Sequence, residues 1–208
     1  MKTIPFFAIL LFCNLAAVCQ KQYHCEYSDT IIINTSDSLA HAFKKSIDLD
    51  ETITEDVAQL LVSQLMKTPL WMNQKRIVRA SLNRTIISID RSSREGKLNI
   101  ETFDSCLYKD DELYLESPAA KGFSDQPMTA KRKEFIATGK TKEILKYLCK
   151  EYVSTDSTAF IWVSDALPQY INPGIRTGNI KGAVLEFILK AEITTTKCMI
   201  AKIEDVYK

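Results

Sequence analysis

Hydrophobic and polar residues alternate along most of this chain, the mark of strands that bury one face. Tyr23-His24-Cys25-Glu26-Tyr27 alternates aromatic and polar side chains, and Thr30-Ile31-Ile32-Ile33 is β-branched throughout. Arg76-Ile77-Val78-Arg79-Ala80 and Thr85-Ile86-Ile87-Ser88-Ile89 flank a turn at Ser81 to Arg84. Lys97 to Phe103 alternates strictly, and Cys106-Leu107-Tyr108 and Leu113-Tyr114-Leu115 bracket a turn at Asp110-Asp111. In the C-terminal third, Lys146 to Val153 and Thr158 to Val163 flank Ser154-Thr155-Asp156-Ser157 and predict a hairpin. Ala183, Leu185, Phe187 and Leu189 then share one face of a strand, and Met199, Ala201 and Ile203 one face of the last.

One stretch has the other period. Val57, Leu60, Leu61 and Leu65 recur at helical spacing, and Thr52 and Glu55 have the spacing of a capping box. Pro69 ends the pattern. The fold class expected is mainly β (α+β), a largely antiparallel sheet with one covering helix near residues 54–67. Pro118 to Arg132 and Pro168 to Gly182 carry the Gly/Pro punctuation of loops.

The first residues follow neither pattern. Lys2 precedes an apolar run from Ile4 to Phe12, small residues follow at Ala16 and Ala17, and the chain turns polar at Gln20. These are the parts of a secretory signal peptide, with cleavage expected after Ala17-Val18-Cys19. The run is too short to span a bilayer as a helix. The expected organisation is a signal peptide over 1–19 and a single β-rich domain over 20–208. The product would be secreted or periplasmic, with no transmembrane segment after cleavage.

Export changes how the remaining composition reads. Removing the leader takes Lys2 from 27 basic residues and none from the 26 acidic ones, so the mature chain is neutral. That gives no electrostatic footprint for nucleic acid. Four cysteines survive, Cys25, Cys106, Cys149 and Cys198, an even number that makes them disulfide candidates in an oxidising compartment. Buried free thiols are the other reading.

Catalytic parts are sparse. His24 and His41 are the whole histidine complement, and no GxSxG, Walker or dinucleotide pattern occurs among six glycines. The acidic runs at Asp110-Asp111-Glu112 and Glu204-Asp205 lack the ligand alternation of a calcium loop. No cofactor, metal or catalytic residue is therefore expected. The sequons Asn34-Thr35-Ser36 and Asn83-Arg84-Thr85 matter only in a host that glycosylates exported proteins. Phe160, Trp162, Tyr152, Tyr147 and Phe187 crowd the C-terminal third. They read either as ordinary core or as the lining of an apolar groove, with Trp162, Phe160, Phe187 and Tyr152 as candidate ligand-binding residues.

The same third resembles a known family. Thr138-Gly139-Lys140-Thr141-Lys142-Glu143-Ile144-Leu145-Lys146-Tyr147-Leu148-Cys149-Lys150-Glu151-Tyr152 is followed by the aromatic strand Phe160-Ile161-Trp162-Val163-Ser164, by Leu167-Pro168, and by Gly178 to Phe187. This order is similar to the GLPGLI family of exported Bacteroidetes proteins. Asn179, Ile180, Lys181, Ala183 and Val184 replace the Gly, Leu, Pro, Leu and Ile of the name-giving motif, and Gly182 keeps its glycine. The resemblance covers about Phe135 to Glu204. It implies a curved antiparallel sheet or half-barrel similar to lipoprotein carriers, with no established catalytic residues. Pro168, Gly178 and Gly182 mark the loop motif, and Gly182 suits a hinge that needs positive φ or close backbone approach.

Three functions follow. The first is a non-catalytic envelope protein that binds an apolar ligand, a peptide or an envelope partner through a curved sheet. The second is a structural or assembly partner without a pocket. The third is a hydrolase with a Cys-His or carboxylate site. The partner expected is an envelope protein, peptide or lipid, and not nucleic acid.

Overall fold

The computed structural model describes residues 21–33, 54, 56–57, 59–60, 63, 70–98, 103–117, 122–128, 132–178, 180–191 and 194–206. Among them are strands β1 (Gln22–Ile33), β2 (Trp71–Ser81), β3 (Arg84–Gly96), β4 (Ser105–Lys109), β5 (Glu112–Ser117) and β6 (Gly122–Phe123). The second half adds β7 (Phe135–Ile144), β8 (Tyr147–Ser154), β9 (Ala159–Ser164), β10 (Ala183–Lys190) and β11 (Thr194–Val206). The signal peptide expected over 1–19 lies outside the described residues. No helix among the described residues is long and apolar enough to cross a membrane.

All 11 strands form one open antiparallel sheet in the order β6-β5-β4-β3-β2-β1-β11-β10-β9-β8-β7. Two meanders, β1 to β6 and β7 to β11, meet where the first strand pairs with the last from Gln22↔Val206 to Ile33↔Thr194. Each meander is assembled from sequence neighbours. The seam between them needs the longest loop closure in the molecule.

The sheet is strongly coiled. The β4–β5 turn and the β8–β9 turn belong to opposite halves and opposite strand ends, yet residues 132–134 reach both. Arg132 bonds Asp111 at 2.8 Å, Lys133 bonds Asp156 at 2.7 Å, and the Thr155 amide donates to the Glu134 carbonyl at 2.9 Å. Diagonal corners of a flat sheet this wide would stand tens of ångströms apart at about 4.8 Å per strand. The right-handed twist accumulated over many strands brings them together. One face thereby becomes an inner, concave surface. It holds Cys25, Tyr27, Val78, Ile87, Cys106, Ile161 and Phe187, all at most 2% exposed.

The strand pattern predicts most hairpins correctly. Asp110 and Asp111 have φ of 53° and 60°, the left-handed geometry of a tight hairpin turn that aspartate tolerates. Other expectations are met only in part. The covering helix is not shown: Asp56, Val57, Gln59, Leu60 and Ser63 are helical, but Val57 and Leu60 are 46% and 57% exposed. The rest of residues 54–67 lie outside the described residues, apart from Thr54. Lys97 and Leu98 leave the ladder at the end of β3, and residues 99–102 are not described. β7 is a strand that its polar run Thr138 to Lys142 does not announce; pairing with β8 creates it.

Bulges break both C-terminal alternations. The β9–β10 register shifts between Val184 and Glu186, so Ala183 does not share the face of Phe187. The β1–β11 register shifts opposite Glu26/Tyr27. Met199 is consequently exposed while Cys198 and Ile200 are buried, and Ile203 faces Cys25 on the inner side. One inserted residue reverses every side chain beyond it.

The disulfide candidates Cys25, Cys106, Cys149 and Cys198 are all free, buried thiols. The ladder explains why none can pair. Cys25 and Cys106 are three strands apart, about 14 Å at the usual spacing. Cys198 stands opposite Asp29, four residues along β1 from Cys25, again about 13 Å. Cys149 pairs with Lys142 and shares the outer face with Trp162. A disulfide needs Cα atoms within about 7 Å.

Candidate functional site

The inner face is where a curved sheet would hold a ligand, and its centre is polar. Asp29 on β1, Gln74 and Arg76 on β2 and Cys198 on β11 are neighbours in the ladder, and all are buried. Arg76 donates from Nε at 2.9 Å and from Nη2 at 2.7 Å to Oδ2 of Asp29, and Gln74 adds a weaker contact at 3.4 Å. Asp29 Oδ1 has no hydrogen-bond partner. The guanidinium lies between two rings, with centroids 5.5 Å away at Phe187 and 5.9 Å at Phe103. Such a pair is costly to bury and strongly destabilising to break. Around it, burial pushes the Cys25 thiol up to about 12 and Cys106 to about 11, and raises Tyr27 and Cys198 well above their ordinary values.

Residues 165–178, in the connection between β9 and β10, lie across this face. Ile171 and Asn172 are inaccessible to solvent, and Ile175 is nearly so. Backbone that enters a core must satisfy its polar groups. The segment does so from within and from the sheet. The Asn172 side chain accepts from the amides of Gly174 and Ile175 at 2.8 Å each and donates to the Ile175 carbonyl at 2.9 Å. Arg76 Nη1 donates to the Pro173 carbonyl, and Thr85 donates to the Tyr170 carbonyl at 2.5 Å. The Val184 amide donates to the Ile171 carbonyl at 3.0 Å.

A second carboxylate clamps the far end of the segment. Asp111 accepts from the Thr177 amide at 2.8 Å, the Gly178 amide at 2.9 Å, the Tyr108 hydroxyl at 2.9 Å and Arg132 at 2.8 Å. Arg176 bonds the neighbouring Glu112 at 2.5 Å. Gly182 returns the chain to β10 at φ 109°, where an added Cβ would lie 2.5 Å from the Ser164 carbonyl oxygen. Glycine is required there on both counts. Gly178, at φ 66°, offers its amide to Asp111. Pro168 opens the segment, and its carbonyl accepts from the Ile171 amide at 3.0 Å.

The four aromatic candidates do not come together. Phe187 and Tyr152 take the inner face, each by register opposite Ile161. Phe160 and Trp162 take the outer face, where Lys190 lies 5.0 Å from the first ring and Lys142 lies 4.2 Å from the second. Trp162 sits between Glu151 and Glu186 on adjacent strands, with Lys142 on Glu186 at 2.6 Å and Thr138 on Glu151 at 2.8 Å. This outer cluster, the Asp29–Arg76 pair and the Asp111 clamp escape sequence reading, because each joins residues from different hairpins. His24 projects to the face opposite Cys25, so that adjacent pair is no catalytic couple. Among the described residues no group of three or more His, Cys, Asp or Glu could hold a metal ion.

No family model and no curated protein matches the sequence. Among solved structures, two crystal forms of PNGF-II align with 90% of this chain at 12% and 13% identity, with TM-scores of 0.45 and 0.44. The chain spans only 28% and 29% of those proteins. A DUF1329 family protein from Desulfovibrio piger aligns over 96% of this chain and 91% of its own, at 9% identity and a TM-score of 0.29. None of these scores supports an argument about site or activity. The likeness of residues 135–204 to the GLPGLI family rests on the residues quoted for it alone.

Proposed function

We propose that this chain is an exported, non-catalytic envelope protein that works by binding a partner on the outer surfaces of its sheet. The observation that carries the reading is the filled inner face. Ile171, Asn172 and Ile175 occupy the position that an apolar ligand would take in an open half-barrel, and their polar groups are satisfied. The state of the thiols supports the non-catalytic part. Nucleophilic cysteines have thiol pKa values brought down to near or below 7.5, whereas burial moves Cys25, Cys106 and Cys149 up to about 11 or 12. Export rests on the leader pattern of residues 1–19.

Native mass spectrometry of protein purified from its own host tests the proposal. The expected species starts at Gln20 and carries no lipid. A stoichiometric lipid adduct that resists dilution would overturn the outer-surface reading, and an N-terminus at Met1 would overturn export.

A further inference from the structure

A cavity of about 320 Å³ lies on the outer face of the sheet, where β1, β2, β3 and the end of β11 meet. The ladder puts its side chains there. His24 pairs with Arg79, Arg79 pairs with Ile86, Ser81 pairs with Arg84, and Gln22 pairs with Val206. These residues share one face because opposite partners in an antiparallel pair point the same way and side chains alternate with a period of two. Arg79 and Arg84 are diagonal neighbours, and His24 flanks them on the next strand.

The charged side chains of the lining are both arginines. Two guanidinium groups and an imidazole contribute to it, and no carboxylate does. Neither arginine makes an ion pair or side-chain hydrogen bond among the described residues. Glu204, opposite His24, is engaged by Lys202 at 2.7 Å. Arg79 and Arg84 are both exposed, whereas the buried Arg76 is matched to Asp29 and the half-buried Arg176 to Glu112. Water screens the repulsion between the two exposed guanidinium groups, and an anion held between them would bind both. The guanidinium fork fits planar oxyanions bidentately, and the cavity is at the lower end of the range for small-molecule sites. Ile86 and Val206 add apolar surface.

We propose that this cavity binds a small organic anion, with its carboxylate or phosphate held by Arg79 and Arg84 and its ring or hydrocarbon body against Ile86 and Val206. The site is independent of the export and partner-binding reading, since it needs neither. Titration of the purified protein with benzoate, phenyl phosphate, inorganic phosphate and the neutral benzamide, followed by backbone amide shifts, tests it. At least one of the two aromatic anions is expected to saturate, shifting residues 22–24, 79–86 and 204–206. Benzamide is expected to leave them unmoved. The double variant Arg79→Gln/Arg84→Gln should weaken binding about tenfold or more while keeping the rest of the spectrum, and Lys75→Gln should not.

Which aromatic anion binds more tightly separates the carboxylate from the phosphate source. No saturation by either up to about 10 mM, ten times weaker than a millimolar site, overturns the proposal. So does binding that survives the double variant, or benzamide binding as well as benzoate. Where phenyl phosphate binds, inorganic phosphate binding equally well overturns the organic class assigned to the ligand.

Discussion

Asp29, buried, and Asp111, half-buried, are carboxylates that each accept from several donors, but they hold different things. Asp29 sits in the middle of the sheet and is bound by Arg76 from the adjacent strand and, weakly, by Gln74, with one oxygen left without a partner. Asp111 sits at the rim and is bound by two backbone amides, a hydroxyl and an arginine from three separate parts of the chain. The first is a charge pair inside an element that strand pairing already holds. The second, with the neighbouring Arg176–Glu112 pair, fastens residues 165–178 to the opposite edge of the sheet. The centre should therefore govern global stability, and the rim should govern whether the inner face stays covered.

Alkali gives the broadest contrast. The thiols at Cys25, Cys106 and Cys198 and the phenol of Tyr27 are kept neutral by burial, with folded values raised above the ordinary 9.0 and 10.0. A raised value favours the fold while the group is protonated. That contribution is complete below about pH 9 and is lost as pH rises through the folded values. Circular dichroism should show cooperative unfolding between about pH 9 and 12. At neutral pH a thiol-labelling reagent should modify none of the four cysteines until urea is added, and mild oxidant should leave the native mass unchanged. Rapid native labelling would refute the burial assignment.

Arg76→Met comes next in size. It leaves Asp29 uncompensated and frees the Pro173 carbonyl, so urea unfolding should show a loss of about 3–5 kcal/mol. Asp29→Val with Arg76→Met should recover much of that loss, since replacing a buried pair is cheaper than breaking it. If the double variant is as unstable as the single one, the pair contributes through packing against Phe103 and Phe187 instead.

Asp111→Ala should lower stability less, by about 2–3 kcal/mol for the hydrogen bonds lost. Its signature is local. Trypsin should cut after Arg176 or Lys181 under native conditions, while the wild-type chain resists. Equal protease resistance would mean that the segment is held without Asp111, by its buried residues and the bonds of Arg76, Thr85 and Arg176. Gly182→Ala is the mildest of the series, about 1–3 kcal/mol, from a strained positive φ and an approach of 2.5 Å to the Ser164 carbonyl. It should raise proteolysis at the same sites without changing thiol protection at the centre.

The sequence by itself determined most of the strands and the turns between them, though not β7. Alternation around Cys25, Val78, Ile87 and Cys106 needs only the period of an extended chain, and Asp110-Asp111 or Ser154 to Ser157 need only local backbone preferences. It also determined the need for glycine at position 182, where the chain passes from loop to strand. The tertiary structure alone decided the rest. Bulges at Val184–Glu186 and opposite Glu26/Tyr27 reassigned faces that alternation predicts, because a register slip is invisible until a partner strand is present. The separation of the four cysteines, the pairing of Asp29 with Arg76, the closing of the inner face by residues 165–178 and the approach of His24 to the Arg79–Arg84 hairpin all depend on which strands become neighbours. The seam of β1 with β11 sets that order, and the composition of any single segment carries no trace of it.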